Sequence, residues 1–252
     1  MAWKVYAVLR SLGCWILLAL FTFVVGTLHI AGSLIAPEGR FPRWIEMAYM
    51  WAILRASNVK LSVDGLEHVE PGKSYIVMAN HRSMYDIPAL HYLLGRGRDL
   101  RWIGKQEVQR VPVFGWAYRL SRHVAIDRQN RKAAIEALKR AATESRQGVS
   151  FVIMPEGTRS TTGELLPFKK GGFHLALDTG LPILPVAIVG SDKLMRKGSW
   201  YILPGAIHVA VRPAIETRDL ERDGIDGLIE RVRGEIESAL RESSSNPERS
   251  LS

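Results

Sequence analysis

Two residues that can do acid–base chemistry stand five positions apart at the end of an apolar run. In VMANHRSMYD, Val77 to Asp86, the run stops at Asn80 and is followed by His81 and then Asp86. A histidine oriented by a carboxylate is a general base: one ring nitrogen donates to the carboxylate and the other is left to take a proton. On one continuous helix, residues at this spacing lie about 140° apart around the axis, so the pair cannot meet there. It meets if the chain leaves a strand at Asn80, turns, and begins a helix near Asp86 with Pro88 in the first turn. The plainer reading is that Asp86 caps that helix and His81 is a satisfied turn residue. Caps are commoner than catalytic pairs, so these two residues alone favour the plainer reading. The two roles are compatible.

A second loop shifts the balance. MPEGTRS, ending at Ser160, also closes an apolar run. In an α/β sheet two such strand ends can open into one crevice, the usual ligand site. Gly157 permits close backbone approach, and Arg159 offers a planar fork suited to a phosphate. Taken alone, Glu156 and Arg159 read as a surface ion pair and the loop as an ordinary polar turn.

The elements that must position these loops are legible in outline. VKLSVDG, SYIVMAN, VSFVIMPEG, LPILPVAIVG and GAIHVAVRP read as strands, several of them continuous apolar runs of the parallel-sheet kind. DIPALHYLLG reads as a helix, as does RKAAIEALKRAATESRQG, stopped by Gly148. Ile225, Leu228, Ile229, Val232, Ile236 and Leu240 recur at helical spacing. Strands alternating with helices predict a mixed, mainly parallel sheet flanked by helices. Between Arg96 and Lys132 the chain is dense in arginine, interleaved with Trp102, Phe114, Trp116 and Tyr118.

Ahead of this α/β part lies a different texture. From Ser11 through Pro37 there is no Asp, Glu, Lys or Arg. As a straight helix this stretch would reach roughly 40 Å, enough for a bilayer. A second, aromatic-rich amphipathic segment starts at Phe41, with Trp44, Tyr49 and Trp51 of the type that favours the membrane–water boundary. The run is longer than a typical signal-peptide core and leads straight into that segment, which favours a retained anchor. Gly26 and Gly32 could break it, so one spanning helix and a re-entrant two-helix motif both remain open. Lys4 and Arg10 on one side match Arg40 and Arg43 on the other, so charge does not orient it. The expected division is an anchor over 1–57, an α/β domain over 58–241 and a disordered tail over 242–252.

Composition bounds the partners. The 252 residues carry a formal net charge of +9, which predicts an anionic partner. The single cysteine, Cys14, forms no intrachain disulfide, and no Cys/His spacing suggests zinc. GxSxG and HExxH are absent, PGKS at Pro71–Ser74 lacks the first glycine of a P-loop, and GRGRDL lacks the third glycine of a dinucleotide fingerprint. No nucleic-acid-binding motif accompanies the basic stretch, which leaves nucleic acid behind lipid headgroups and phosphorylated small molecules.

NHRSMYD resembles the NHxxxxD motif of the glycerolipid acyltransferases, and MPEGTRS resembles their PEGTRS motif. GKQEVQRVPVFG and VAIDRQNR are similar to the family's second conserved region, and FKKGGFHLALDTGLPILPVAIVG to its later lysine–glycine and proline–valine segment. Ordered matches of this number, from Tyr75 to Gly190, are far more specific than any one motif. Ile126 and Met154 depart from the pattern, standing where many relatives carry an aromatic residue.

Within that family the resemblance is to the bacterial 1-acylglycerol-3-phosphate acyltransferases. It implies that His81 and Asp86 are catalytic and that Lys105, Arg128, Glu156, Gly157, Thr158 and Arg159 bind substrate. Arg159 is the first choice for a phosphate; Glu156, Gly157 and Thr158 would hold a glycerol hydroxyl or shape the loop. It further implies no metal and no cofactor. The acyl donor is acyl-CoA or acyl-carrier protein, and the acceptor is lysophosphatidic acid, giving phosphatidic acid. The expected setting is a membrane, the bacterial inner membrane, with membrane phospholipids and acyl-carrier protein as partners and no nucleic acid. Glycerol 3-phosphate or an amino-acid lysolipid as acceptor stays open, as does a non-catalytic monotopic lipid-binding protein.

Overall fold

The computed structural model describes residues 2–36, 40–127, 129–145 and 149–245. Its centre is a seven-stranded sheet of order β1-β7-β6-β2-β5-β3-β4. The strands are β1 (Val59–Asp64), β2 (Ile76–Ala79), β3 (Asp99–Lys105), β4 (Val124–Ile126), β5 (Val149–Ile153), β6 (Ile183–Val189) and β7 (Gly205–Val211). Neighbours pair parallel throughout except β6 with β7. The helices are α1 (Ala2–Ile35), α2 (Arg40–Ala56), α3 (Asp86–Leu94), α4 (Phe114–Leu120), α5 (Arg131–Ser145), α6 (Gly171–Thr179), α7 (Ser191–Leu194) and α8 (Ile225–Ser245). The mixed, mainly parallel sheet flanked by helices is therefore as expected.

The central strands are apolar throughout because helices cover both faces. Val77 and Ala79 of β2 pack on one side with Leu54 of α2, Leu90 and Leu94 of α3. Ile76 and Met78 pack on the other with Phe173 of α6, Val232 and Ile236 of α8. Each fully buried side chain of this size contributes roughly 1.5–3 kcal/mol relative to exposure. β3 and β4 lie inside the arginine-dense stretch, where charge hid the strand pattern: Arg101 is buried in β3, its guanidinium held by Asp99.

β2 and β5 are neighbours, yet the chain leaves them in opposite directions. From β2 it passes through α3 to β3 on the far side of β5. From β5 it passes through α6 to β6 on the far side of β2. The crevice between the two strand ends is thus a topological switch point, where α/β sheets bind ligands.

α1 is an unbroken 34-residue helix, so neither Gly26 nor Gly32 interrupts it. Both glycines serve close packing: a Cβ at Gly26 would lie 2.6 Å from Val113 Cγ1, and one at Gly32 2.9 Å from Phe41 Cδ1. α1 and α2 run antiparallel, joined by Thr22 Oγ1 to Tyr49 Oη at 2.6 Å and His29 Nδ1 to Pro42 O at 3.2 Å. α1 is long and apolar enough to cross a membrane by length and composition. It is nonetheless docked on the α/β domain near both ends. Arg10 donates to Ser57 O at 2.6 Å, Ser11 Oγ accepts from the Ile202 N–H at 2.9 Å, and His29 Nε2 meets Ser121 Oγ at 2.9 Å. α1 and α2 thus form a helical hairpin whose second helix begins at Arg40, and neither glycine is the point of return. Trp3, Leu9, Ile16, Phe23 and Trp44 remain exposed on it.

A largely buried carboxylate, 16 % exposed, ties α2 to α3 and to the start of β4. Glu46 Oε1 lies 3.0 Å from His123 Nε2, and Oε2 lies 3.8 Å from His91 Nε2. Trp102 occupies the other nitrogen of each ring, donating its backbone N–H to His123 Nδ1 and its indole N–H to His91 Nδ1, so both Nε2–H groups point at Glu46. Burial by itself would raise Glu46. Attraction to His123 and the hydrogen bond from it, with smaller pulls from His91 and His29, outweigh that and hold the carboxyl at about 2.

α8 continues to Ser245, past the expected start of the tail at 242, and 246–252 lie outside the described residues, as does Gly148.

Candidate active site

Asn80 ends β2 by completing a backbone-like pair with β6. Its Nδ2 donates to Ile188 O at 2.9 Å, and its Oδ1 accepts the Ile188 N–H at 2.7 Å. The strand end is thereby fixed, and the next residue, His81, emerges at the switch point. The sequence shows an Asn before the His but nothing of its partner, which lies on a distant strand.

His81 and Asp86 do meet. His81 Nδ1 is 2.7 Å from Asp86 Oδ2, with the histidine side chain 16 % exposed and the aspartate fully buried. Oδ2 also accepts the backbone N–H groups of Arg82 and Ser83, each at 2.8 Å. With Oδ2 as the shared acceptor, Nδ1 faces it as a third donor and Nε2 is left facing away from the carboxylate. Nε2 has no hydrogen-bond partner among the described residues, and His81 lines a cavity. The helix-cap role expected of Asp86 is not what it performs. It is the first residue of α3, and its carboxylate turns back onto the preceding turn instead of onto the helix N–H groups.

The second loop closes over this turn. Because β2 and β5 pair in register, Met78 opposite Ile153, the residues beyond them run side by side. Ser160 N–H donates to His81 O at 2.8 Å, and His81 N–H donates to Glu156 Oε1 at 2.7 Å. Glu156 Oε2 accepts the Leu166 N–H at 2.9 Å. The residue is 2 % exposed, so both oxygens are committed to backbone and none faces the cavity. Of the two roles expected for Glu156, loop shaping fits and substrate binding does not. Burial raises its pKa above the ordinary carboxylate value, against the lowering effect of the two N–H donors and of the His81 and Arg82 charges.

Gly157 has φ 71°, and a Cβ there would lie 2.9 Å from Lys169 Cε. Glycine is suited to that backbone and to the close approach of the lysine. Thr158, Arg159 and Lys105 all line the same cavity as His81. Arg128 lies outside the described residues. Lys197, which no motif marked, joins the group: its Nζ donates to Thr158 Oγ1 at 3.1 Å and to Arg159 O at 2.8 Å.

The cavity itself has a volume of about 340 Å³ and walls that are chiefly apolar: Val25, Ile45, Met50, Ile87, Phe114 and Met154. α1, α2 and α4 supply much of this lining, so the helical hairpin is part of the site. Of the two departures from the family pattern, Met154 lines the cavity, whereas Ile126 of β4 packs, partly buried, against the apolar cluster of Ile76 and Met78.

A histidine held by a carboxylate, at the switch point of a helix-flanked sheet and beside an apolar chamber, defines an α/β protein that sets a His–Asp pair against an apolar space. Comparison with known proteins narrows this. The Acyltransferase family profile matches residues 60–189. A 1-acyl-sn-glycerol-3-phosphate acyltransferase of Pseudomonas aeruginosa is 31% identical over 240 residues, covering 93% of this chain and 91% of that protein. One from Cocos nucifera is 39% identical over 173 residues, 68% of this chain; the match spans only 55% of the Cocos protein. Among solved structures, the 1-acyl-sn-glycerophosphate (LPA) acyltransferase PlsC of Thermotoga maritima superposes with a TM-score of 0.83 at 25% identity, covering 96% of this chain and 98% of that one. The chain belongs to the Acyltransferase family, and the relatives it resembles are 1-acyl-sn-glycerol-3-phosphate acyltransferases.

Proposed function

We propose that the protein transfers an acyl chain from a thioester to the free hydroxyl of lysophosphatidic acid, forming phosphatidic acid at a membrane surface. The observation that carries this is the His81–Asp86 pair opening into an apolar cavity that cationic side chains also line. A thioester is already activated, and its thiol leaves readily with a pKa near 8.5. The reaction therefore needs a base more than a covalent nucleophile. His81 Nε2 takes the hydroxyl proton as the oxygen attacks the thioester carbonyl. The carbon–sulfur bond then breaks, and the imidazolium returns the proton to the departing thiolate. Asp86 keeps the tautomer and stabilises the imidazolium. The apolar cavity receives the acyl chain, and Arg159 with Lys105 meets the acceptor's phosphate. Acyl-CoA and acyl-carrier protein both present the required thioester.

The membrane setting is supported by the exposed apolar side chains of α1 and α2, which flank the cavity. Since α1 is docked near both ends, the hairpin lies in the interface and delivers the lipid acceptor from the side. The location proposed is a membrane, in a bacterium the inner membrane; a relative that matches nearly full length, from Pseudomonas aeruginosa, is bacterial.

The test uses detergent-purified protein, lysophosphatidic acid and either thioester, with phosphatidic acid followed by mass spectrometry beside His81→Ala. Wild type is expected to make phosphatidic acid, and the variant to lose about 10²–10⁴-fold in rate. Lipid binding without product from either donor would rule the activity out.

A further inference from the structure

Lys197 stands outside every motif that marked the site and beyond residue 189, where the family match ends. It sits in a β-turn closed by the Ser199 N–H to Arg196 O at 3.0 Å, with Gly198 at φ 84° supplying the positive angle such a turn needs. The loop that carries it is fastened on both sides. Ser83 Oγ, in the first motif, donates to Met195 O at 2.8 Å. On the far side Trp15 Nε1–H donates to Trp200 O at 2.8 Å, and the Ile202 N–H donates to Ser11 Oγ at 2.9 Å, both on α1. The loop is a strap from the apolar helix to the turn that carries His81, and Lys197, an exposed side chain, is the charge on it that lines the cavity.

Charge balance gives this position a purpose. Lys105, Arg159 and Lys197 line the cavity together with His81. Among the described residues the one carboxylate lining it is Glu46, already engaged by His123. The partners of Lys197 are both neutral oxygens, a threonine hydroxyl and a carbonyl. An ammonium held by neutral acceptors beside two further cations is placed to take an anion.

We infer that Lys197 binds the phosphate monoester of the acceptor, as a third cation beside Arg159 and Lys105. This rests on the proposed reaction and names a further residue for it. With the acceptor hydroxyl at His81 Nε2, its phosphate is two carbons and an ester oxygen away, on the Thr158–Arg159 side of the cavity. A donor such as acyl-CoA also carries phosphates, so the test must separate the two.

Steady-state kinetics on the full chain in detergent, with lysophosphatidic acid and an acyl thioester varied in turn, compare wild type, Lys197→Met and Lys197→Arg. Lys197→Met should raise KM for lysophosphatidic acid about 10- to 100-fold. KM for the thioester and kcat should be little changed, and Lys197→Arg should restore most of the loss. An unchanged acceptor KM overturns the assignment. So does a rise in thioester KM, which would place the donor's phosphates there, or a parallel loss in kcat, which would leave Lys197 only a prop for the loop. Equilibrium binding of a short-chain lysophosphatidic acid provides a second reading that needs no turnover. Equal affinity in wild type and Lys197→Met overturns the inference even where wild type proves inactive, an outcome that separately removes the proposed reaction.

Discussion

The backbone N–H of His81 donates to Glu156 Oε1 at 2.7 Å, so the two loops of the site are joined through a buried carboxylate 75 residues away in the chain. The same side chain accepts the Leu166 N–H through its other oxygen. Glu156→Ala would leave two donors without acceptors, at about 1–3 kcal/mol for each. Both the melting temperature and the rate should fall, and Glu156→Gln, which keeps one acceptor, should fall between. Matching melting curves for wild type and Glu156→Ala would show that the tie does not hold the loops.

Asp86 positions the base through one oxygen shared among His81 and two backbone N–H groups. Asp86→Asn removes the negative charge and offers an amide N–H where an acceptor is required. The imidazole then loses its enforced tautomer, and kcat should drop roughly 10²–10⁴-fold with acceptor KM little altered. Rate measurement across the pH range checks this. A variant retaining wild-type kcat would remove Asp86 from the mechanism.

Gly157 sits at φ 71° against the Lys169 side chain. Gly157→Ala adds backbone strain of about 1 kcal/mol or more, although the flexible lysine can move aside. The neighbouring Thr158 and Arg159 should shift with it, raising acceptor KM more than donor KM. Kinetics with both substrates varied would detect this, and identical constants would show the loop tolerates a Cβ.

Acid should loosen the helical hairpin from the sheet. Glu46 has its carboxyl depressed from 4.5 to about 2, so the folded state favours its charged form. That stabilisation is complete above pH 4.5 and is lost as pH falls toward 2. Burial also lowers His91, which opposes its protonation in the fold and removes stability as pH drops below its ordinary 6.5. The two effects share a sign. Protection of the α1 and α2 amides, taken relative to the intrinsic exchange rate at each pH, should therefore fall from neutral to acidic pH ahead of that of β2 and β5. Glu46→Gln should bring that loss of protection to neutral pH, and uniform protection across the chain would contradict it.

Much of the site was legible because it is local. The strand end, the turn and the helix start around His81 span ten residues, and within so short a stretch the spacing of apolar and polar residues dictates where side chains point. The continuous apolar runs of β2, β5 and β6 likewise announced a sheet covered on both faces. The role of Asp86 was local too, yet spacing could not tell a carboxylate that caps forward from one that accepts from the turn behind it.

What composition and periodicity could not settle depends on which apolar faces meet once the chain collapses. Strand order is such a choice, and it brings Glu156 to the backbone of His81 and Asn80 to Ile188. So is the docking of α1, whose apolar length suits a bilayer crossing but whose contacts near both ends keep it beside the sheet. Lys197 and Glu46 belong to the same class. Neither stands in a motif that marks it, and only long-range packing gives one a place at the cavity with His81 and the other its histidine partners. Sequence by itself determined the chemistry on offer and the elements that carry it; tertiary structure decided which groups share a space, because strand pairing and helix docking are set by contacts distant along the chain.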